Sequence, residues 1–405
     1  MDQTLNAARL TYEQVALGGE HHIHELYSPT VYQAASYSDL FAMTLYPPQD
    51  NGRRIILARS QDAPQAYFLT RSPEDSINLY QKGTSRRPDW GRIYFAAKCP
   101  VIGNNIFQVP QIPDEVVIKI LNKFAVQEYL QLHPYGENPF KELARMEEIG
   151  DNTHVLKHIE ALQDEKYLYI VLPKGLHTLD KYVHRFTQEG RDVPSVKCHE
   201  IFCKIIKINV HLLRHGINHH DLSPDNLMFL TEDNLVLIDF ALSNRIPINA
   251  DTGHRTLLAP PPVGTCIHGK PTWMDAVVYR GHQGYDGVAM DLYATSLILY
   301  YLTTGKPLYR RPSVHDDPDY NHFIHLEGLW QRSQQTIDNL HDLGMKSQSN
   351  QDFTVLSRLF ELSALHLNMR PQSMHLLMNM LNENPALRFT LADVMESDYV
   401  NNFQG

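Results

Sequence analysis

Cysteine is scarce: Cys99, Cys198, Cys203 and Cys266 are the only four in a chain of 405 residues. So few thiols build no disulfide framework, and no C-x-x-C pair is present to hold zinc. They suit a reducing compartment as buried free thiols, which predicts a cytoplasmic protein. Long apolar runs are also missing. The most apolar stretch, around Leu297–Leu302, lies between Asp291 and Lys306. It is too short to cross a bilayer and predicts a buried core helix, with no membrane partner. The opening residues 1–6 show no basic region ahead of an apolar run, so no secretory leader is read there. Positive charge is in deficit. A formal net charge of −10 argues against a broad surface for nucleic acid. Histidine is abundant, at 22 residues, yet no pair has H-E-x-x-H spacing. His21-His22 and His219-His220 put adjacent side chains on different faces, and most histidines are read as surface or satisfied core residues. No internal repeat or low-complexity tract appears.

What is present fits a globular chain with a core: apolar residues make up 43% and charged residues 20%. The length suggests two or three units of ordinary domain size. Residues 1–60 show no clear period. Short β-branched and aromatic runs follow, at Arg54–Ala58, Ala66–Leu69, Arg92–Lys98, Val116–Leu121 and Tyr167–Leu172. Bounded by Pro, Gly and Asn, they predict an antiparallel sheet. One helix interrupts them at Pro139–Ile149, with proline in its first turn and Gly150 just past its end. After Gly175 the pattern turns helical, with apolar residues at helical spacing in Cys198–His215, Met290–Thr304 and Gln372–Leu381. A strand-rich amino half and a helix-rich carboxyl half predict an α+β, bilobal fold with a ligand cleft between the lobes.

Chemistry-bearing residues concentrate in one stretch. His219-His220-Asp221-Leu222-Ser223-Pro224-Asp225-Asn226 offers a carboxylate and, five positions on, an amide. Two β-like runs, Leu227–Leu230 and Leu235–Ile238, follow around the turn Thr231-Glu232-Asp233-Asn234 and end at Asp239-Phe240. Such a hairpin folds Asp221, Asn226 and Asp239 back towards one point. A two-ligand magnesium site with a neighbouring base needs that arrangement.

On these residues the sequence resembles the eukaryotic-type protein kinase family, over roughly residues 85–400. His219–Asn226 is similar to the H-R-D-L-x-x-x-N catalytic loop, and Asp239-Phe240-Ala241 to D-F-G. Val116-Val117-Ile118-Lys119 resembles the V-A-I-K strand, with Glu142 as the helix glutamate that pairs with the lysine. Tyr169–Lys174 looks like the last amino-lobe strand and the hinge. Asp291-Leu292-Tyr293-Ala294-Thr295-Ser296 resembles D-x-W-x-x-G, and Asn384–Arg388 later carboxyl-lobe punctuation. The resemblance implies ATP and Mg2+ as cofactors and a protein substrate. It implies that Lys119 and Glu142 position phosphates, Asp221 acts as base, and Asn226 and Asp239 ligate metal. Gly91 and Ile93 would cover the nucleotide. Leu172 would be the gatekeeper, and Pro173, Lys174 and Gly175 would hold adenine. Asp291 would brace the catalytic loop, against the plainer reading of a helix N-cap. Lys123 is the rival to Lys119, and Glu147 and Glu148 are the rivals to Glu142. The implied division is an extension at 1–60, an amino lobe at 61–173 and a carboxyl lobe at 174–405. Nothing in the sequence signals an oligomeric state.

Several positions depart from the family pattern. Counting back from Gly91, the first two loop glycines fall at Arg86 and Pro88, which weakens a phosphate cradle. His220 replaces the H-R-D arginine, which speaks against control by an activation-segment phosphate. Ala241 replaces the D-F-G glycine. Val277 stands at the A-P-E glutamate, leaving Arg388 in need of another partner and predicting a looser substrate-docking segment. Ser223 stands where the family has its catalytic-loop lysine, and Lys270 where it has a threonine. These two changes suggest a swap that brings Lys270 to the γ-phosphate and Asp221, the alternative being that Lys270 points to solvent. The reading is a serine/threonine-type protein kinase. Its rivals are a pseudokinase acting as scaffold or allosteric partner, and a small-molecule kinase of the aminoglycoside or choline type. The latter's H-x-D-x-x-x-x-N and I-D-F motifs also look like His219–Asn226 and Ile238–Phe240.

Overall fold

A computed structural model describes residues 31–33, 44–46, 55–58, 65–70, 77–78, 91–103, 106–108, 114–132, 137–258, 269–281, 284–321, 323–325, 327–328, 371–382 and 384–403. Arg86, Pro88 and Cys266 lie outside the described residues, as does most of the stretch 1–60.

Ten strands form one curled sheet. They are β1 (Val31–Gln33), β2 (Thr44–Tyr46), β3 (Ile55–Ala58), β4 (Gln65–Leu69), β5 (Ile77–Asn78), β6 (Gly91–Gly103), β7 (Ile106–Gln108), β8 (Glu115–Asn122), β9 (Glu160–Gln163) and β10 (Tyr167–Pro173). The main order is β1-β9-β10-β8-β6-β4-β3, with β5 and β7 on β6 and β2 on β7. The pairs β1–β9 and β2–β7 are parallel and the rest antiparallel. Every run read as a strand overlaps one.

Side-chain alternation gives this sheet two apolar faces. Val116 and Ile118 pack with Tyr67, Ala96, Leu162 and Val171 on one. Leu121, Ile170 and Leu172 pack with Leu143 and Met146 on the other. Lys119 alternates with Ile118 and so shares the second face, towards the helix that carries Leu143.

Two helices join the sheet, α1 (Lys123–Leu132) and α2 (Pro139–Ile149). The sequence reading contained only α2. In α1 just Val126 and Tyr129 are buried, too thin an apolar stripe to register as a period. One start signal is present, since the Asn122 side chain accepts the Ala125 N–H at 3.3 Å. In α2, Asn138 caps the helix by accepting the Phe140 N–H at 3.1 Å, and Pro139 occupies the first turn. Burial of Leu143, Met146 and Ile149 on its inner face contributes roughly 1.5–3 kcal/mol for each side chain.

The carboxyl half is mostly helical. It contains β11 (His177–Thr178), α3 (Leu179–Gln188), α4 (Ser195–Arg214), β12 (Ile217–Asn218), β13 (Leu227–Thr231), β14 (Asn234–Leu237) and β15 (Asn244–Arg245). After them come α5 (Ala276–Arg280), α6 (Gly287–Thr304), α7 (Pro371–Met380), α8 (Leu391–Glu396) and α9 (Asp398–Asn401). β11, β13 and β14 make a small antiparallel sheet, and β12 pairs with β15. Helix α6 is buried on all sides from Met290 to Leu302, as its mostly apolar composition requires, and the buried Asp291, Thr295 and Ser296 side chains within it are hydrogen-bonded. Its start is held tightly: a Cβ on Gly287 would lie 1.5 Å from Asn218 Nδ2, so only glycine fits. Among the described residues no helix is long and apolar enough to cross a membrane.

Candidate active site

Lys119 projects from β8 opposite Ile170 of β10 and Ile93 of β6. Its ammonium forms an ion pair with Glu142 of α2, and both groups are buried. Burial alone would push the Lys119 pKa down, but the carboxylates of Glu142 and Asp239 outweigh it and hold the lysine above its ordinary value. The rival residues face elsewhere. Lys123 bonds the Asp164 carbonyl at 2.5 Å. Glu147 meets His158 at 3.2 Å, and Glu148 is taken by Arg145 and Arg245.

The loop after β12 is fastened from below. Asp291, on α6, accepts the backbone N–H groups of His219 at 2.5 Å and His220 at 2.9 Å. Asp286 instead caps this helix, accepting the Val288 N–H at 2.9 Å. The His219 ring lies edge-on to Phe240 at 4.8 Å. Its Nδ1 accepts the Asp221 N–H at 3.3 Å while its Nε2 donates to the Ile238 carbonyl at 3.0 Å. That one ring ties the loop to the end of β14. Burial pushes its pKa down to about 4, so it stays neutral.

Asn226 Nδ2 donates to the Asp221 carbonyl at 2.7 Å and to Asp221 Oδ2 at 2.8 Å. Asp239 sits just beyond β14 in a left-handed backbone conformation, φ +66°. Its charge raises the pKa of both Lys119 and Asp221, so it lies within electrostatic reach of each. Burial pushes Asp221 up to about 6, with Asp239 adding and Lys270 and Asn226 opposing. The structure therefore brings Lys119, Glu142, Asp221, Asn226 and Asp239 into one neighbourhood.

Of the residues expected at adenine, Leu172 shares the Lys119 face and the next three follow it at the end of β10. Leu172 is buried on the Lys119 face, Pro173 pairs with Val116, and the Lys174 ammonium meets Glu115. Gly175 backs onto Met228 of β13, whose sulfur a Cβ would meet at 2.3 Å. Gly91 opens β6 opposite Leu121.

Lys270 turns inward. Its backbone N–H donates to Asp221 Oδ1 at 3.0 Å, and its Nζ lies 2.8 Å from Ser223 Oγ, 3.5 Å from Asn226 Oδ1 and 3.8 Å from Asp221 Oδ2. Asp225, half-exposed, is 3.4 Å from the same ammonium. Gly269 makes this approach possible. Its φ is +89°, and a Cβ there would sit 2.8 Å from the His220 carbonyl oxygen.

A family model for the protein kinase domain matches residues 110–400. The chain belongs to the protein kinase family. The match begins just ahead of β8, so β1 to β7 precede it. CBL-interacting serine/threonine-protein kinase 24 of Arabidopsis thaliana is 28% identical over 194 residues, covering 47% of this chain and 39% of the relative. A probable myosin light chain kinase of Dictyostelium discoideum is 31% identical over 169 residues, covering 41% of this chain and 48% of the relative. The chain spans less than half the length of these curated relatives.

Two departures from the kinase pattern acquire a structural account. The expectation of a loose docking segment, drawn from Val277, is corrected: Arg388 finds its carboxylate two residues earlier. Asp275 takes both guanidinium nitrogens, the second at 3.1 Å, and also caps α5 by accepting the Val277 N–H at 2.9 Å. Sequence reasoning fixed on one aligned position and passed over an acid in the same segment. His220 is buried at φ +67°, its ring nitrogens 2.6 Å from Asn218 Nδ2 and 2.9 Å from Asn244 Nδ2. The segment after Asp239 is also held from α2. Lys141 Nζ donates to the Ser243 carbonyl at 2.9 Å, and the Asn138 N–H donates to the Ala241 carbonyl at 2.9 Å.

Proposed function

We propose that the chain is an active serine/threonine-type protein kinase, moving the γ-phosphoryl group of ATP onto a protein hydroxyl with magnesium. The observation that carries this reading is the convergence of the Lys119–Glu142 pair, Asp221, Asn226 and Asp239. The amino lobe, residues 61–173, and the carboxyl lobe, residues 174–405, close on the nucleotide, with adenine between Ile93 and the Leu172–Gly175 segment.

The donor set suits magnesium. Asp239 offers a carboxylate, and Asn226 keeps Oδ1 as a hard oxygen because its Nδ2 is spent on Asp221. When bound, the ion offsets charge on the phosphate oxygens. Lys119 binds the α- and β-phosphates, and Lys270 the γ-phosphate. Asp221 is oriented by the Lys270 N–H on one oxygen and the Asn226 amide on the other. It takes the proton of the attacking hydroxyl as the new P–O bond forms and ADP leaves. A pKa near 6 keeps Asp221 ionised at neutral pH while making it a better proton acceptor than an exposed carboxylate.

Protein rather than small-molecule substrate is supported by the segment that Asp275 anchors to Arg388 and Lys270 joins to Asp221. With His220 held by two amides, the site forms without an activation-segment phosphate. The test is γ-phosphate transfer by purified protein to a serine/threonine peptide library and to small alcohols, with Asp221→Asn alongside. Magnesium-dependent transfer to peptides, lost by about 10³-fold or more in the variant, supports the reading. ATP binding without transfer favours the pseudokinase, transfer to alcohols alone the small-molecule kinase, and transfer surviving in the variant a contaminant.

A further inference from the structure

The loop that leaves α2 folds back against the last turn of α4 and puts three metal-binding side chains together, away from the phosphoryl-transfer site. One ligand atom each from Asp151, His154 and His211 lies within 4.8 Å of the other two. Asp151 Oδ1 is spent on the loop itself, accepting the N–H groups of Thr153 at 2.8 Å, His154 at 2.7 Å and Val155 at 3.2 Å. Oδ2 is left facing the two rings, 2.8 Å from His154 Nδ1 and 3.8 Å from His211 Nδ1. The His211 ring is already set for ligation. Its Nε2 donates to the Ile149 carbonyl at 2.9 Å, so Nδ1 carries the free lone pair. A second hydrogen bond of this kind fixes the tautomer and orientation of metal-binding histidines generally.

We propose that Asp151, His154 and His211 form a binding site for a zinc-type divalent cation that joins the end of α2 to α4. Two imidazoles and one carboxylate form the borderline N2O set that zinc prefers, with water as the fourth ligand. Bond lengths of about 2.0–2.2 Å put tetrahedral donors about 3.3 Å apart, and the present 2.8 and 3.8 Å bracket that separation. The two rings are stacked with centroids 4.9 Å apart and planes within 11°. A turn of the partly exposed His154 ring brings a nitrogen lone pair towards the point shared by Asp151 Oδ2 and His211 Nδ1. Because α2 carries Glu142 and α4 belongs to the carboxyl half, the ion fastens the two halves at their junction.

The test uses metal-stripped full-length protein and the bare ion. Zn2+ is titrated by calorimetry, and Co2+ is followed by its visible absorption, which is strong only in tetrahedral sites. The variants are His211→Gln, whose amide can still donate to the Ile149 carbonyl, and His154→Ala, which removes a partly exposed ring without disturbing α4. Wild type is expected to bind one equivalent that raises its unfolding midpoint, with affinity at least tenfold weaker in each variant. Matching midpoints in chelator establish that a variant is folded, and His154→Ala reads out alone if His211→Gln is not. Wild-type stoichiometry and affinity in the folded variants would overturn the proposal, since other histidines would then be responsible. So would the absence of binding, which would leave Asp151 and His154 as a hydrogen-bonded loop cap only.

Discussion

At the scale of single residues, Ser223 and Lys270 form the most informative pair. Kinase sequences usually carry a lysine in the catalytic loop and a threonine in the activation segment, and here the hydroxyl stands in the loop and the lysine in the segment. The ammonium nonetheless arrives within 2.8 Å of Ser223 Oγ. If Lys270 stabilises charge on the transferring phosphoryl group, Lys270→Thr should lower kcat by about 10²-fold, the usual consequence of removing one preorganised charge or donor. The double variant Ser223→Lys/Lys270→Thr restores the family's arrangement and should recover most of that loss. Steady-state kinetics on the three proteins checks it, and a double variant no better than the single one would remove Lys270 from the mechanism. The Ser223–Lys270 relation was legible in the sequence because two complementary departures fell at positions that touch. Their distances to Asp221 and Asn226 were not, because a loop's backbone path is set by what it packs against.

At the scale of elements, the activation segment is tied to the carboxyl half through one buried ion pair. The Asp275 and Arg388 side chains are each only 5% exposed, and the guanidinium also lies 4.5 Å from the Tyr293 ring centroid. Asp275→Ala strips the carboxylate from a buried charge and uncaps α5. It should cost about 3–5 kcal/mol. Replacing both partners, as Asp275→Ala/Arg388→Met, should cost less than Asp275→Ala alone, because no buried charge remains. Denaturant unfolding of the single and double variants measures the difference. Helix α2, with Asn138, Pro139 and Gly150 at its ends, was readable because capping chemistry is local. Helix α1 was not, because its exposed Phe124 and Leu132 obscure the face that carries Val126 and Tyr129.

At the scale of the whole molecule, acid stability depends on loop carboxylates that replace missing backbone partners. Asp317 is buried, and it accepts N–H groups from Arg310 at 2.7 Å, Arg311 at 2.9 Å, Asp319 at 3.0 Å and Tyr320 at 3.2 Å. Burial works against its charge, but these donors outweigh it and hold its pKa below the ordinary value. A folded-state pKa below the unfolded one adds stability that is complete above about pH 4 and fades as pH falls through the folded value. Asp317→Asn, which presents an amide to two of those donors, should unfold about 1–3 kcal/mol more easily at neutral pH. The gap from wild type should narrow below about pH 4. Unfolding midpoints of both proteins across pH 3–7 give the comparison, and a gap constant with pH would contradict it.

The sequence by itself determined the bilobal α+β order and nominated the candidate site residues. Strand runs, caps and the spacing from His219 to Asp239 are written locally, and their order along the chain is one-dimensional information. Tertiary structure alone decided which charged groups meet across long separations. Asp275 rather than position 277 serves Arg388, and the loop carrying Asp151 and His154 meets His211 of α4. The physical reason is that a buried charge takes the complementary group its packing brings within reach, and no period or motif in the chain records that distance.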